Sequence, residues 1–122
     1  FVPNARTDAL LKAGDRPRSE AIAEAVARGR AYIDAGAQCV FVPGVVTADE
    51  AGALVDGIGL RKVSLIGLPG ALSAAQYEAV GVARISYGPM PQNVALTALK
   101  RLGESLLADG VIPEDTEKLN NF

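Results

Sequence analysis

The chain has 122 residues, 49% of them hydrophobic and 21% charged, with 12 basic and 14 acidic side chains and a formal net charge of -2. That is one globular domain's worth of chain. The charges are interspersed, which argues against a nucleic-acid or polybasic membrane footprint, and no apolar stretch reaches the ~20 residues of a membrane-spanning helix. The absence of His removes Ser-His and Cys-His catalysis within the chain, and the single Cys39 leaves no internal disulfide, so a reducing, cytoplasmic setting is expected.

The first predicted element is a strand at Phe1-Val2, an apolar run followed at once by Asn4, Arg6, Thr7 and Asp8. A chain that opens inside such a run is expected to be a piece of something larger. A helix follows from about Ser19 to Ala35, with Ile22, Val26, Gly29 and Ile33 as its stripe and Gly36 as its stop. Its small residues Ala21, Ala25 and Gly29 read as close helix–sheet packing. The second strand is Cys39 to Val42, with Cys39 an inert buried thiol. The second helix starts at Thr47, because Thr47-x-x-Glu50 is a capping box, and buries Ala51, Leu54, Val55 and Ile58. Val63 to Ile66 is the third strand. Ser73-x-x-Gln76 caps a short helix that ends at Gly81, and Val82 to Ile85 is the fourth strand. The last helix has Pro91 in its first turn, a stripe of Ala95, Ala98, Leu99, Leu102 and Leu106, and Gly110 as its stop. Residues 111–122 form a polar tail with a short helical turn after Pro113, its Glu114, Asp115 and Glu117 a solvated face.

Four strand–helix units predict a parallel α/β sheet with right-handed crossovers. The strands are apolar at nearly every position, as when both faces of a sheet are covered. Two architectures compete, an open doubly wound sheet and half of a (β/α)₈ barrel over residues 1–110. In both, function sits at the C-terminal strand ends. Those ends are Asn4 to Asp8, Pro43 to Val46, Gly67 to Gly70 and Ser86 to Pro89. Arg6 carries a planar fork that matches a carboxylate or phosphate, or it pairs structurally with Asp8. Asp8 reads as its structural partner, and Asn4 as satisfying a neighbour. Pro43 and Gly44, and Ser86 with the Gly88 backbone, are candidate pocket linings, with Tyr87 as a wall. No residues show metal-ligand spacing.

The stretches FVPNARTDALL, AIAEAVARGRAYIDAGAQCVFVPG and LPGALSAAQYEAVGVARISYGP, in this order and with the helix that follows, resemble the second half of the isocitrate lyase/phosphoenolpyruvate phosphomutase superfamily. The resemblance implies strands five to eight of a TIM (β/α)₈ barrel. It implies a lyase or mutase that works on C–C or P–C bonds of small 2-oxo or 2-hydroxy carboxylates through an enolate stabilised by Mg²⁺. Arg6 matches the arginine that contacts the anionic end of substrate in relatives.

It also implies that the metal carboxylates and the catalytic cysteine loop belong upstream of Phe1, so this chain alone is expected to be catalytically incomplete and Cys39 is not that cysteine. Gly44 stands where isocitrate and methylisocitrate lyases place a glutamate, which argues against those two activities. Ser64 falls in "KVSLIG", where many relatives carry an asparagine. The expected partners are a small carboxylate substrate and the other half barrel or a second copy, in a homo-oligomer that exchanges the last helix. A non-catalytic half barrel that pairs through its open edges is the alternative, and an anion-binding open sheet is a third.

Overall fold

In the computed structural model, which describes residues 1–117, four strands and four helices alternate along the chain: β1 (Asn4–Arg6), α1 (Arg18–Asp34), β2 (Cys39–Phe41), α2 (Ala48–Ile58), β3 (Val63–Ile66), α3 (Ala74–Ala79), β4 (Arg84–Ser86) and α4 (Met90–Asp109). The strands form one parallel sheet in the order β1-β2-β3-β4. Right-handed crossovers between strands laid down in chain order put α1, α2 and α3 on the same face. A doubly wound sheet needs a reversal of order to place helices on both faces, and this sheet has none. The architecture is therefore part of a (β/α)₈ barrel.

The chain divides into two compact units, one spanning Phe1–Gly88 and a second that begins at Pro89 and holds α4. In the first, the core lies between the sheet and its helices. Val40, Val42, Val63 and Leu65 are fully buried from the sheet, against Ala21, Ile22 and Ala25 of α1 and Ala51, Leu54, Val55 and Ile58 of α2. Tyr77 of α3 is 1% exposed, and its hydroxyl donates to the Ile66 carbonyl at 3.1 Å, so one ring fills the core and satisfies its own polar end.

The ends of the elements follow from local chemistry. Thr47 Oγ1 accepts from the Glu50 N–H while Glu50 Oε2 accepts from the Thr47 N–H, and Ser73 and Gln76 repeat the exchange at α3. Both predicted capping boxes are formed. α1 and α3 close on a paired pattern of backbone bonds, Gly36 to Ile33 with Ala37 to Tyr32, and Gly81 to Glu78 with Val82 to Tyr77. α4 begins after Pro89 and stops at Gly110, and none of its residues is buried, its expected stripe included. In the tail, the Thr116 N–H reaches the Pro113 carbonyl, which makes a turn. The expectation for 118–122 lies outside the described residues. Among the described residues no helix is long and apolar enough to cross a membrane.

Two expectations are corrected. The first strand is not Phe1-Val2, which are exposed, but Asn4–Arg6; Pro3 lacks an N–H and serves as acceptor for Gln38 and Cys39, and hydrogen-bonded pairing starts after it. The fourth strand likewise starts at Arg84, two residues later than expected, because Val82 is spent on the α3 cap.

The buried stripe of α1 is also rotated from expectation, onto Ala21, Ile22, Ala25 and Gly29. Close approach to α2 sets that rotation. A Cβ on Gly29 would sit 2.6 Å from Ile58 Cδ1, and one on Gly57 would sit 2.5 Å from Val26 Cγ1. Each helix thus seats an aliphatic side chain on a glycine of the other. Gly29→Ala gains about 1 kcal/mol of helix propensity but overpacks this contact at a cost of about 1–3 kcal/mol. We expect a net loss in denaturant unfolding that Ile58→Val partly relieves. A stabilised Gly29→Ala would show that the helices do not meet this closely.

Candidate functional site

Because all four strands run the same way, the segments that follow them gather at one end of the sheet. β1 brings Arg6 there as its last residue, and the Thr7 N–H bonds the Phe41 carbonyl to continue the ladder one step further. Thr7 turns inward, 1% exposed, and its Oγ1 accepts from the Ala9 N–H, which bends the chain out of the strand. Asp8 is thereby placed beside Arg6.

Two contacts hold the Arg6 guanidinium. Its Nε donates to Asp8 Oδ1 at 2.7 Å, and its Cζ lies 5.7 Å from the centre of the Phe41 ring. Phe41 is the register partner of Arg6 on the neighbouring strand, so the cation–π contact is a cross-strand pair. Among the described residues no hydrogen bond uses the two terminal nitrogens of Arg6, and its side chain is 55% exposed. The outer edge of the fork therefore stays available to a planar anion, while Asp8 fixes the inner nitrogen.

Arg6, Thr7 and Asp8 line a cleft of about 500 Å³ together with Ala9, Lys12, Arg16, Glu24 and Arg28. Lys12 Nζ lies 4.0 Å from the other Asp8 oxygen. Glu24 is clasped by Arg16 and Arg28, and the Arg16 hydrogen bond above all holds its carboxyl below the ordinary range. Four cations thus face two carboxylates on a chain whose formal net charge is -2. The local excess of positive charge favours an anion in the cleft.

Sequence reading located Arg6 and Asp8 but missed Lys12, Arg16, Glu24 and Arg28. The Glu24–Arg28 spacing of four on a helix was the available signal. Asn4 lies inside the strand, and its Oδ1 is buried without a partner, so it does not satisfy a neighbour as expected.

The other candidates stand at the same end of the sheet but do not line this cleft. Pro43 is buried, and Gly44 carries a positive φ of 134° that disfavours any side chain. A Cβ there would lie 3.3 Å from Leu10 Cβ, so the first two loops touch at Gly44. Ser86 closes β4 and its carbonyl accepts from the Gly67 N–H at 2.8 Å. Tyr87 lies over Gly67, where a Cβ would meet its ring at 2.6 Å, so the third and fourth loops touch as well. Gly88 follows with its backbone exposed. Cys39 is only partly buried; burial raises its pKa, and the nearby charge of Arg84 opposes that rise.

Arg18 anchors the loop after β2. Its Nε donates to Glu50 Oε1 at 2.8 Å, and its Nη2 donates to Glu50 Oε2 and to the Val45 carbonyl. Glu50 also closes the α2 capping box, so one carboxylate ties α1, α2 and the Pro43–Thr47 loop together. Among the described residues no group of three or more His, Cys, Asp or Glu side chains could hold a metal ion.

The sequence pattern described as Phosphoenolpyruvate phosphomutase matches residues 1–107. No curated protein matches the chain. Among solved structures, a protein of Burkholderia cenocepacia J2315 assigned as a lyase/mutase is 31% identical at a TM-score of 0.75, covering 92% of this chain and 39% of its own. A second protein of that organism, assigned as a phosphonomutase, is 33% identical at a TM-score of 0.75, covering 86% and 42%. 2,3-Dimethylmalate lyase, a member of the PEP mutase/isocitrate lyase superfamily, is 26% identical at 0.73, covering 98% and 41%. The chain thus spans about two fifths of the length of these relatives.

The Arg18–Glu50 contact carries a pH signature. Hydrogen bonding from Arg18 lowers the Glu50 pKa, with burial acting against it. A depressed carboxyl pKa contributes stability above the unfolded value of about 4.3, and that stability is lost as pH falls through the folded pKa. Arg18→Met should lower stability by about 1 kcal/mol at neutral pH and flatten the acid limb of thermal unfolding between about pH 5 and 3. A wild-type and a variant curve that stay parallel through that window would contradict the assignment.

Proposed function

The chain belongs to the phosphoenolpyruvate phosphomutase family, and from that premise we propose that it forms the anion-binding part of a lyase or mutase active site. The reaction class is cleavage or formation of a C–C or P–C bond in a small 2-oxo or 2-hydroxy carboxylate. One observation carries the reading: Arg6 stands at a strand end, fixed by Asp8 and Phe41, with its outer nitrogens uncommitted inside an electropositive cleft. The neighbour named as a dimethylmalate lyase takes, by that name, a small hydroxydicarboxylate, which is the charge type the cleft favours.

In this reading Arg6 grips the substrate carboxylate bidentately. A fixed cation beside a carboxylate that becomes part of an enolate stabilises the charge as it spreads, and Asp8 spares the guanidinium any reorganisation during the step. The Pro43-Gly44 loop and the Ser86 to Gly88 segment lie at the same end of the sheet and stay outside the cleft itself. The family resemblance implies Mg²⁺ as the ion that stabilises the enolate, but the carboxylates among the described residues do not gather to hold one.

Oxalate tests the reading, because it is a planar dianion of the size of a pyruvate enolate. Titration into the chain by calorimetry or NMR should show saturable binding. Arg6→Ala should weaken it at least about tenfold, or about 1.4 kcal/mol, without changing the thermal unfolding of the chain. Equal affinity in wild type and Arg6→Ala would remove Arg6 from the site.

A further inference from the structure

The cleft at the end of β1 contains a cation with no part in the reading above. Lys12 lines it together with Arg6 and Asp8. Its ammonium lies 4.0 Å from Asp8 Oδ2, beyond hydrogen-bond range, whereas Arg6 Nε donates to Asp8 Oδ1 at 2.7 Å. One carboxylate therefore stands between two cations, with Arg6 at one of its oxygens and Lys12 near the other. Among the described residues no hydrogen bond uses Lys12 Nζ, and the side chain is 80% exposed.

The loop after β1 places Lys12 there. Thr7 is buried and its Oγ1 accepts from the Ala9 N–H, which starts the bend. The Lys12 N–H then bonds the Asp8 carbonyl at 2.8 Å, so the chain makes one turn and returns residue 12 to the side of residue 8. Farther along, Arg16 ties the loop to Glu24 of α1. Lys12 is thus carried by a segment anchored on both sides of it.

The charges of the cleft fall into two groups. Arg16 and Arg28 clasp Glu24, and Arg6 and Lys12 flank Asp8. Each group holds one carboxylate against two cations, so each keeps one positive charge in excess. Screening takes about 10 Å at 0.1 M salt, so the two groups act together on a ligand in one cleft. A monoanion held by Arg6 offsets half of the excess, and a dianion offsets all of it. Of the three other cations, Arg16 and Arg28 already donate to Glu24, while Lys12 keeps every donor free beside Arg6.

We propose that Lys12 is a specificity-determining residue of this site, receiving a second anionic group of the ligand whose first carboxylate Arg6 grips. The site then selects dianionic 2-hydroxy or 2-oxo acids over monoanionic ones. The inference rests on the reading of Arg6 given above. Asp8 acquires a second role, because it spaces the two cations as well as aiming Arg6. The incoming group breaks no hydrogen bond, since the Lys12–Asp8 contact is too long to be one. A role for Lys12 as partner of Asp8 alone would contribute little, as exposed ion pairs do.

Malate and 2-hydroxybutyrate test the assignment, because they share a carbon skeleton and differ by a carboxylate against a methyl group. Titrated into the chain at constant ionic strength and followed by NMR, malate should bind at least about tenfold more tightly. Lys12→Met should abolish that preference and leave the affinity for 2-hydroxybutyrate unchanged, and Lys12→Arg should retain most of it. Lys100→Met removes a lysine that does not line the cleft and should leave the preference intact, which separates a local contact from net charge. Thermal unfolding of Lys12→Met should match wild type, because the side chain is exposed.

Equal binding of the two acids by wild type would overturn the proposal. So would a preference that survives Lys12→Met, or one removed by Arg16→Met or Arg28→Met instead. In each of those cases oxalate binding that depends on Arg6 would leave the first subsite standing. Failure to bind malate, 2-hydroxybutyrate and oxalate alike would overturn both readings.

Discussion

The handedness of the crossover governs this molecule. With strands laid down in the order β1 to β4 and every connection turning the same way, three helices must lie on one side of the sheet. The helix side then collects Val40, Val42, Val63 and Leu65 into a dry core. The other side receives Asn4, Arg6, Phe41, Ser64 and Arg84, of which the two arginines are exposed and Ser64 is buried. The loops, meanwhile, gather at the one end where the strands finish. The division into a helix-covered face, a second face and a functional end follows from that single rule.

The candidate site uses this division economically. Arg6 is the last residue of its strand, and its guanidinium carbon lies over the Phe41 ring of the neighbouring strand while its Nε donates to Asp8. The same row continues through Ser64 to Arg84, farther from its own strand end. The Arg18–Glu50 contact plays a supporting part, because it holds the loop that carries Gly44 through the Val45 carbonyl.

Much of this was legible from local chemistry. The capping boxes at Thr47 and Ser73 depend on residues three apart and needed no tertiary information. The buried face of α2 followed from its helical period. α1 was less legible, because a stripe of larger aliphatics and a stripe of small residues both fit the period. Contact with Ile58 chose the small one, and a contact between helices is not visible in either helix alone. The first strand was misplaced because Asn4 and Arg6 look like loop residues; an open sheet face tolerates them, and only the pairing with Cys39 and Phe41 reveals it. Arg6 and Asp8 were recognisable as neighbours in sequence, whereas Lys12, Arg16 and Arg28 joined them through the path of a loop and the rotation of α1.

The most direct measurement is a crystal structure of the chain grown with oxalate. Oxalate held in the plane of the Arg6 guanidinium, with its oxygens on the two terminal nitrogens and Asp8 still on Nε, is the expected result. Oxalate bound elsewhere, or an Arg6 side chain turned away from the strand ends to a different partner, would contradict the placement of the anion site at the end of β1.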